Sequence, residues 1–548
     1  MSDKKILRII PIGGLGEVGK NMTLYEYKND ILIVDAGIMF PENDMIGIDY
    51  IIPDFEHYLK DKKDKVRGII FTHGHEDHIG AINHLLEHVS APLYATPLTR
   101  GLIEVKLKRN RFSGKADLRT VNAGDRVQIG SFHVDFFHVC HSIPDGVGLG
   151  IESPAGLVVH TGDYKLDNTP VDNRPTDYAK LAAFSERGVL ALLSDSTNAT
   201  NPGWTPSERI IDDGFDQVFE NAEGRVLVAT FASLISRVQQ VADAAERHGR
   251  KIAFTGRSMV DNMKMARELG YVDFPERLVV SLEKSLSMPD NKVAIVATGS
   301  QGEPRSIMGR LARGTNRKFD VREGDTIVFS SHPIPGNEES VYQTINQLFR
   351  KGANVIYESI APVHVSGHAS QEEIKLLIHL VKPKYLIPLH GELRMLKQHA
   401  KLAEEAGIPK ENIIVVENGQ IIEIVDGELQ LGERIPGDYI FVDGTGVGDV
   451  DRSIVGERES LGRDGAMVVN VTLDRNNGQL IGNPEILSRG FILPEEMDEM
   501  KGELQNRVKQ AIKNSNGNLE SDILRSLKSY LYQEVNRNPF IFVTINRR

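Results

Sequence analysis

The sequence predicts an α/β protein: a sheet sandwich covered by helices, followed by a parallel α/β domain and a small C-terminal α/β domain. Three observations predict this fold class. Short strand-like runs separated by glycine-rich turns occupy about the first 200 residues. From Thr205 onward, strand-like and helical patterns alternate, as they do in parallel sheets. After the Gly/Asp-rich stretch Asp443–Asp449, the tail has strand and helix patterns of its own.

In the first region, the strands are predicted from short apolar runs that are bounded by turn residues. Asn29-Asp30 suits a hairpin turn between two of these runs. After His78, apolar residues recur at helical spacing as far as Val89. The predicted strands are Ile6–Ile12, Met22–Tyr27, Ile31–Val34, Val66–Thr72, Val127–Gln128, Phe132–Val139, Gly148–Glu152 and Leu157–His160.

The later regions are read in the same way. The alternating region has predicted strands Arg225–Thr230, Lys251–Phe254 and Lys292–Thr298, and predicted helices Ser236–His248 and Met259–Leu269. Gly324–Ser331 and Asn354–Glu358 are predicted to close this sheet or to return to the first domain. Beyond them we predict helix Arg394–Ala406, strands Ile413–Val416, Ile421–Val425 and Ala466–Leu473, helices within Glu495–Ile512 and Glu520–Val535, and a final apolar run, Phe540–Ile545.

Composition narrows the class of protein. With 548 residues, 40% hydrophobic and 26% charged, the chain has an ordinary globular composition and a length that suits roughly three to four domains. The net charge of −12 argues against a generally basic nucleic-acid coat protein, and we interpret the basic run Lys106–Arg111 as a solvated helix face. The single cysteine, Cys140, permits no intramolecular disulfide and is expected in a strand core. We see no signal peptide and no apolar run of membrane-spanning length, so we expect a cytoplasmic protein without membrane contact.

The segment Gly14–Gly19 has the spacing G-x-G-x-x-G of dinucleotide-binding folds. Such a site needs a helix whose N-terminus faces the pyrophosphate. Residues Asn21–Val34 alternate like a hairpin instead, so we interpret this segment as a glycine turn. We interpret Gly444–Gly448 in the same way.

The most informative segment is His-Gly-His-Glu-Asp-His at residues 73–78, directly after a predicted strand. It brings His73, His75, Asp77 and His78 within six residues, and imidazole with carboxylate suits Zn and related ions. Four ligands in one loop cannot complete two metal sites. His141, Asp163 and His390 are further candidates, because each follows a strand-like run.

These seven residues resemble the ligand series of the metallo-β-lactamase superfamily, whose fold is an αββα sandwich. The resemblance implies that His73, His75 and His141 hold one zinc, and that Asp163 bridges it to a second. Asp77, His78 and His390 would hold that second zinc, and Mn²⁺ or Mg²⁺ can substitute in such sites.

The long gap between Asp163 and His390 resembles the inserted domain of the β-CASP group, which processes nucleic acids. The motifs that carry this resemblance are Ser194–Thr197, Gly299–Pro304, Ser330–Asn337 and His364–His368. Along nearly its whole length, the chain resembles the bacterial ribonuclease J family. The implied domains are metallo-β-lactamase, 1–205 and 351–442; β-CASP, 206–350; a linker, 443–460; and a C-terminal α/β domain, 461–548.

The resemblance implies a metal-dependent ribonuclease that acts on single-stranded RNA in mRNA decay and rRNA maturation. It would work both 5′-to-3′ from the end and internally, and leave 5′-phosphate products by hydroxide attack on the phosphodiester. Asp77 would help to fix the metals, Asp195 would hold a ligand histidine, and His368 would protonate the leaving oxygen or bind the scissile phosphate. Alternatives are a small-molecule hydrolase of the same fold, a β-CASP DNA nuclease, and a poorly active paralogue that serves as a scaffold.

The resemblance also assigns two substrate loops and a preference for 5′-monophosphorylated RNA. The implied substrate-binding residues are Ser233, Leu234, Ile235, Ser331, His364, Val365, Ser366, Gly367 and His368. The family often has Asn at position 234 and His at position 236, whereas this chain has Leu234 and Ser236. The 5′-monophosphate preference is therefore expected to be weaker.

Two further expectations follow from the same resemblance. Gly47, Asp49 and Asp443 match positions at which some relatives hold a structural Ca²⁺, and hard oxygen ligands suit that ion. The C-terminal domain is expected to support a homodimer, a homotetramer or a complex with a paralogue.

Overall fold

The structure is a computed structural model that describes residues 4–42, 44–515 and 517–548. It divides into two compact units. The first comprises the residues through Phe40 together with Tyr50–Ile440, and the second comprises Pro41–Asp49 and Phe441–Arg548.

The first unit contains a sandwich of two facing sheets. The larger sheet has eight strands, in spatial order Glu428–Arg434, Gln420–Val425, Ile6–Gly13, Met22–Tyr27, Asp30–Val34, Val66–Ile70, Leu93–Ala95 and Leu118–Thr120. The other has six, in the order Tyr385–Leu389, Val189–Asp195, Gly156–His160, Val147–Ser153, Phe132–His138 and Arg126–Ile129. Alternate residues of facing strands, such as Leu7 and Ile9 or Val134 and Phe136, fill one buried core, because successive side chains of a strand point to opposite faces.

Helices cover the sandwich. A second apolar cluster joins the outer face of the six-stranded sheet to three of them, through residues such as Val159, Phe184, Ile374 and Leu402. The helices of this domain are Phe55–Leu59, Glu76–Ile79, Ile82–His88, Pro97–Arg109, Tyr178–Arg187, Gln371–Val381 and Leu393–Glu405, with short 3₁₀ turns at Lys63–Lys65 and Lys410–Asn412. The two-sheet, helix-covered arrangement confirms the predicted fold class.

A five-stranded parallel domain is inserted between two adjacent strands of the six-stranded sheet, Val189–Asp195 and Tyr385–Leu389. Its strands lie in the order Lys251–Thr255, Val293–Ala297, Val226–Ala229, Thr326–Phe329 and Asn354–Ile356. Its helices are Ile210–Asn221, Ile235–Arg247, Arg257–Glu268, Leu282–Leu286, Ile307–Ala312 and Glu338–Arg350, with 3₁₀ turns at Glu276–Leu278 and Asp290–Lys292. The strands are buried on both faces, which is why they are continuous apolar runs.

The second unit has its own apolar core between a three-stranded sheet and two long helices. The sheet order is Glu485–Arg489, Ala466–Leu473 and Phe540–Arg547, and the helices are Arg452–Asp464, Pro494–Asn514 and Leu519–Val535. The remaining short strands of the chain are Leu15–Gly16, Tyr50–Pro53, Gly391–Glu392, Tyr439–Asp443 and Gly446–Val447. Across the described ranges, no helix combines the length and the apolar character needed to cross a membrane.

Several elements of the structure differ from the sequence predictions. Ile413–Val416 is not a strand and forms only a single bridge, Leu386 to Ile413. The helix predicted after His78 is two helices, interrupted at Gly80-Ala81. Asn354–Ile356 belongs to the inserted sheet, although the predicted boundary lies at 350. Arg452–Asp464 is helical within the stretch predicted as a linker, with Asp451 capping its N-terminus.

Buried His399 gives this fold a specific response to acid. Its Nδ1 lies 2.9 Å from Ser196 Oγ, Nε2 has no hydrogen-bond partner, and burial lowers the pKa of the ring to about 4. An unfolded histidine titrates near ~6.5, so stability from the neutral ring is present above that pH and is lost as pH falls towards 4, by about 2 kcal/mol at pH ~5. We expect the melting temperature to fall less between about pH 7 and pH 5 in His399→Gln than in the unsubstituted chain. His379→Gln, at an exposed position of helix Gln371–Val381, is the control, and parallel acid profiles for all three proteins would contradict the prediction.

Candidate metal centre

Neighbouring strands bring the predicted ligands together at one edge of the sandwich. Asp163, Asp195 and His390 lie at or just beyond the carboxyl ends of three adjacent parallel strands, which carry His160, Leu193 and Leu389 near their ends. Strands that run in the same direction end at the same sheet edge, so the side chains that follow them converge. The strand Val66–Ile70 delivers the His73–His78 loop from the facing sheet.

The His73–His78 loop is fixed by its main chain. The amide N–H groups of Asn21, Ala36 and Ile38 donate to the carbonyls of Asp77, His78 and Glu76, at 2.9, 2.7 and 3.0 Å. At Gly37, a Cβ atom would lie only 1.6 Å from Asp77 O, so only glycine permits this approach. The loop is therefore held in place before any ion binds.

Three hydrogen bonds orient the imidazole rings. His78 Nδ1 lies 2.8 Å from Asp35 Oδ2, His73 Nδ1 lies 3.1 Å from Thr72 Oγ1, and His141 Nδ1 lies 2.7 Å from Gly367 O. In each ring Nε2 then faces the cluster, which is how proteins usually orient histidines that bind metals. At Gly367, a Cβ would lie 2.6 Å from His141 Nδ1, so glycine is required there too.

Asp35 and Asn21 were missed in the sequence. Asp35 also accepts from Thr72 N and Oγ1, both at 2.8 Å, and its φ of +63° is uncommon for a non-glycine residue. Asn21 Nδ2 lies 3.1 Å from His78 Nε2. The available signal was the segment Val34-Asp-Ala-Gly37, an acid at the end of a strand that pairs with Val66–Ile70.

The seven predicted ligands form two groups that could each hold a metal ion. His73, His75, His141 and Asp163 form one group; Asp77, His78, Asp163 and His390 form the other. His75 Nδ1 lies 3.1 Å from both His73 Nε2 and His141 Nε2. Four ligands around one zinc, each about 2.0–2.1 Å from the ion, would lie about 3.3 Å apart, so this spacing fits a shared ion.

Asp163 is common to both groups. Its Oδ2 lies 3.6 Å from His73 Nε2, 3.7 Å from His141 Nε2 and 3.2 Å from His78 Nε2. Its Oδ1 lies 2.9 Å from His390 Nδ1, and His390 Nε2 is buried without a hydrogen-bond partner. Buried polar atoms without partners are costly, so a cation among these ligands would complete the arrangement.

The electrostatics of the cluster favour cation binding. Burial lowers the pKa of His73 and His141 well below the usual value and that of His75 to about 4, so these rings are neutral and can act as ligands. Burial alone would raise the pKa of Asp163, but the adjacent His390 and His78 outweigh it and hold that pKa well below its usual value. His73, His75 and His141 are thus neutral ligands beside a charged Asp163 carboxylate. For His78 and His390, burial is outweighed by Asp163, which raises the pKa of both rings, so they must lose a proton before they bind a metal ion.

Asp195 and His368 form a pair beside this cluster. His368 Nδ1 lies 2.7 Å from Asp195 Oδ2, and the His368 ring packs against the rings of His141 and His390 at 4.9 and 5.6 Å between centroids. Burial lowers the pKa of His368, but the Asp195 carboxylate more than compensates and raises it. Together with Asp163 and His390, the pair also forms a third possible ligand group.

The His364–His368 loop is held by the segment that follows Asp195. Ser366 Oγ accepts from Asn198 Nδ2 at 2.8 Å, and His368 O accepts from Thr205 Oγ1 at 2.7 Å. Val365 is buried, and His364 Nδ1 is buried without a hydrogen-bond partner. In this loop, then, the half-buried side chains of His364, Ser366 and His368 alternate with buried Val365 and Gly367, and Gly367 contributes through its carbonyl.

The side chains of the other predicted substrate loop differ in their burial. Leu234 and Ile235 are buried at the start of helix Ile235–Arg247, and their amides already donate to Phe231 O and Ser233 O, whereas Ser233 is half-buried. Ser331 is buried, with its Oγ 3.4 Å from Gln301 Nε2.

The glycine segment and the basic run, two other features predicted from the sequence, have different outcomes in the structure. Gly14, Gly16 and Gly19 have φ values of +90°, +82° and +116° and are followed by a strand, which confirms the glycine turn. Lys106, from the basic run, is buried and its Nζ lies 2.5 Å from Glu76 Oε2 next to the ligand loop, so the prediction of a solvated face is wrong for this residue.

The residues of the predicted calcium site also make contacts within the second unit. Asp49 Oδ2 accepts from Gly444 N at 2.9 Å. Asp443 Oδ2 pairs with Arg458 at 2.7 Å, and that guanidinium also lies close to Gly47. Calcium binding there stays a prediction.

Comparison with known proteins places this geometry in a family. Residues 15–197 match the metallo-beta-lactamase superfamily, and residues 352–416 match the Zn-dependent metallo-hydrolase RNA specificity domain. Residues 223–348 match the ribonuclease J beta-CASP domain and residues 453–548 the ribonuclease J C-terminal domain. The chain is 41% identical to ribonuclease J2 of Bacillus subtilis, over 98% of both chains.

The chain belongs to the ribonuclease J family. It is also 42% identical to ribonuclease J 1 of Streptococcus pyogenes, over 97% of this chain and 96% of that one, and 40% identical to ribonuclease J of Thermus thermophilus, over 98% and 95%. A crystal structure of a protein of unknown function from Enterococcus faecalis shares the fold, with a TM-score of 0.54, 15% identity, and coverage of 77% of this chain and all of that one. As a member of the ribonuclease J family with a cluster that could hold metal, the chain is a metal-dependent ribonuclease.

Proposed function

We propose that this chain hydrolyses single-stranded RNA, by 5′-to-3′ removal of nucleotides and by internal cleavage, and leaves 5′-phosphate products in mRNA decay and rRNA maturation. The observation that carries the proposal is the convergence of two ligand groups on Asp163 beside the Asp195–His368 pair. A polynucleotide substrate agrees with the inserted parallel domain, in which Arg237 and Ser330 both donate to Val363 O, next to the His364–His368 loop.

Two zinc ions are the metals that best suit this donor set. His73, His75 and His141 would hold one ion, Asp77, His78 and His390 would hold the other, and Asp163 would bridge them. Such a pair supplies hydroxide near neutral pH and neutralises the phosphate oxygens as charge builds.

The residues of the chain supply the rest of the reaction. A water oxygen attacks phosphorus in line, the bond from phosphorus to the 3′ oxygen of the preceding nucleotide breaks, and the new 5′-phosphate stays with the downstream strand. The departing oxygen needs a proton, and His368 is suited to donate it because the Asp195 carboxylate raises its pKa. The Ser366 hydroxyl and the loop around it would position the phosphate.

Product analysis on matched RNAs with 5′-monophosphate and 5′-triphosphate ends tests the proposal. Nucleoside monophosphates released from the monophosphorylated end would support 5′-to-3′ activity, and internal fragments with 5′-phosphates would support internal cleavage. Because Leu234 and Ile235 are buried and their amides are bonded within the loop, Ser233 is the polar side chain of the three that can contact a terminal phosphate, so the preference between the two ends should be modest. Equal resistance of both RNAs with zinc or manganese present would overturn the proposal.

We also infer that chains associate, as a homodimer, a homotetramer or a complex with a paralogue. Leu487, Leu493 and Tyr532 of the second unit are 61%, 63% and 64% exposed, and large exposed apolar side chains often mark interfaces. Light scattering that gives an active monomer would contradict this.

A further inference from the structure

The inserted domain has a cavity of about 690 Å³ to which the mechanism assigns no role. It opens beyond the carboxyl end of the edge strand Lys251–Thr255, where parallel α/β sheets usually bind their ligands. Its wall includes Val260 and Asp261, from one face of helix Arg257–Glu268.

The lining of this cavity combines cations with apolar surface. Arg257, Arg310, Arg317 and Lys318 line it, against the carboxylates of Asp261 and Glu283. Cations thus outnumber anions in this one place, although the chain as a whole carries a net charge of −12.

Two of these cations are uncommitted. Arg257 and Arg317 are exposed, and within the described part of the chain neither guanidinium forms a hydrogen bond or an ion pair. By contrast, Arg310 donates to the carbonyl of Arg305, and Lys318 lies in the field of Glu283. Free guanidinium groups are the donors best suited to phosphate, and Phe254 offers an apolar wall for a base.

The helix that borders this cavity also borders a substrate loop. Asn262 Nδ2 donates to Ala232 O at 3.0 Å, so the helix that carries Arg257 is fixed to the loop that leads to Ser233. An RNA strand that is bound at that loop can continue across the helix to the cavity.

We propose that this cavity is an additional subsite that binds a nucleotide of the RNA strand outside the catalytic centre, with Arg257 and Arg317 contacting its phosphate. The proposal rests on the proposed function, since it takes RNA as the ligand. Arg257 and Arg317 would bind the RNA strand and would take no part in the chemical step.

The test compares Arg257→Ala/Arg317→Ala with Lys292→Ala/Arg350→Ala. The control removes the same charge from exposed positions of the same domain that precede strands Val293–Ala297 and Asn354–Ile356, at the opposite sheet edge. The affinity of each metal-loaded protein for a long single-stranded phosphorothioate RNA is measured by fluorescence anisotropy at several salt concentrations. Hydrolysis of a trinucleotide, which offers few nucleotides beyond the scissile bond, is measured in parallel.

We expect the cavity variant to bind the long RNA about tenfold more weakly, with its salt dependence reduced by roughly 0.7 for each lost phosphate contact. The control should keep its affinity, and both variants should hydrolyse the trinucleotide normally. Equal affinity and salt dependence in the two variants would overturn the subsite. Binding of AMP to each protein is measured as well. If the cavity variant loses AMP binding while its RNA binding is unchanged, the cavity takes a free nucleotide and the RNA assignment is wrong. If no protein hydrolyses RNA, the proposed function fails, whereas the binding comparison still decides the subsite.

Discussion

Asp163→Ala is expected to lower RNA hydrolysis by more than about a thousandfold, because one carboxylate serves both ligand groups and hydroxide generation depends on them. Its oxygens lie within 3.7 Å of ring nitrogens on His73, His78, His141 and His390. Without it, five imidazoles and the Asp77 carboxylate would have to hold two cations. Mass spectrometry of the purified protein should find fewer than two metal ions per chain.

Two controls separate this effect from a loss of folding. Asp61→Ala removes an exposed carboxylate from the same domain and should change neither metal content nor rate. Asp163→Asn keeps the volume of the side chain, so a protein with a native circular dichroism spectrum but little metal would locate the defect in coordination. An Asp163→Ala protein with two metal ions and the original rate would show that Asp163 does not bridge the centre.

Much of this centre could be predicted because each ligand follows a largely apolar strand. Such runs are visible in sequence, and the residue after them must lie at the sheet edge. His141, Asp163 and His390 were found in this way, and the structure brings all three to the His73–His78 loop. The glycine turn was predictable for a similar reason, because the alternation after Gly19 excludes a helix.

The supporting residues were harder to predict because they depend on tertiary contacts rather than on local pattern. Asp35 acts through a positive φ and through bonds to Thr72 and His78, which no periodicity indicates. Gly367 was assigned to a substrate loop, yet its carbonyl holds His141, a residue 226 positions away. Lys106 belongs to a basic run whose other charged side chains are half-buried or exposed. Its pairing with Glu76 depends on the fold and is not visible in the sequence.

Two helices of the first domain were missed, although helices were expected to cover its sheets. Tyr178–Arg187 and Pro97–Arg109 carry mixed polar sequences whose apolar residues contact the sheets, so their periodicity is weak within any short window. Ile413–Val416 shows the opposite error: a β-branched apolar run packs against the core with one bridge and no ladder. Burial alone therefore does not specify strand pairing.

His368→Ala is expected to lower the turnover of RNA by about a hundred- to ten-thousandfold, the usual contribution of a general acid. The leaving 3′ oxygen is strongly basic and needs a proton as its bond to phosphorus breaks. His368 can supply it because the Asp195 carboxylate, 2.7 Å from Nδ1, favours the protonated ring and leaves Nε2 available. The measurement is single-turnover hydrolysis of 5′-monophosphorylated RNA.

A second substrate distinguishes proton donation from phosphate binding. A nucleoside 5′-(p-nitrophenyl phosphate) expels p-nitrophenolate, which leaves without a proton, so His368→Ala should hydrolyse it at nearly the original rate if His368 is the acid. Asp195→Asn should show the same selective loss on RNA to a smaller degree, because the ring remains but its proton is held less firmly. Equal losses on both substrates would mean that His368 binds the phosphate, and an unchanged rate on RNA would mean that it takes no part in the reaction.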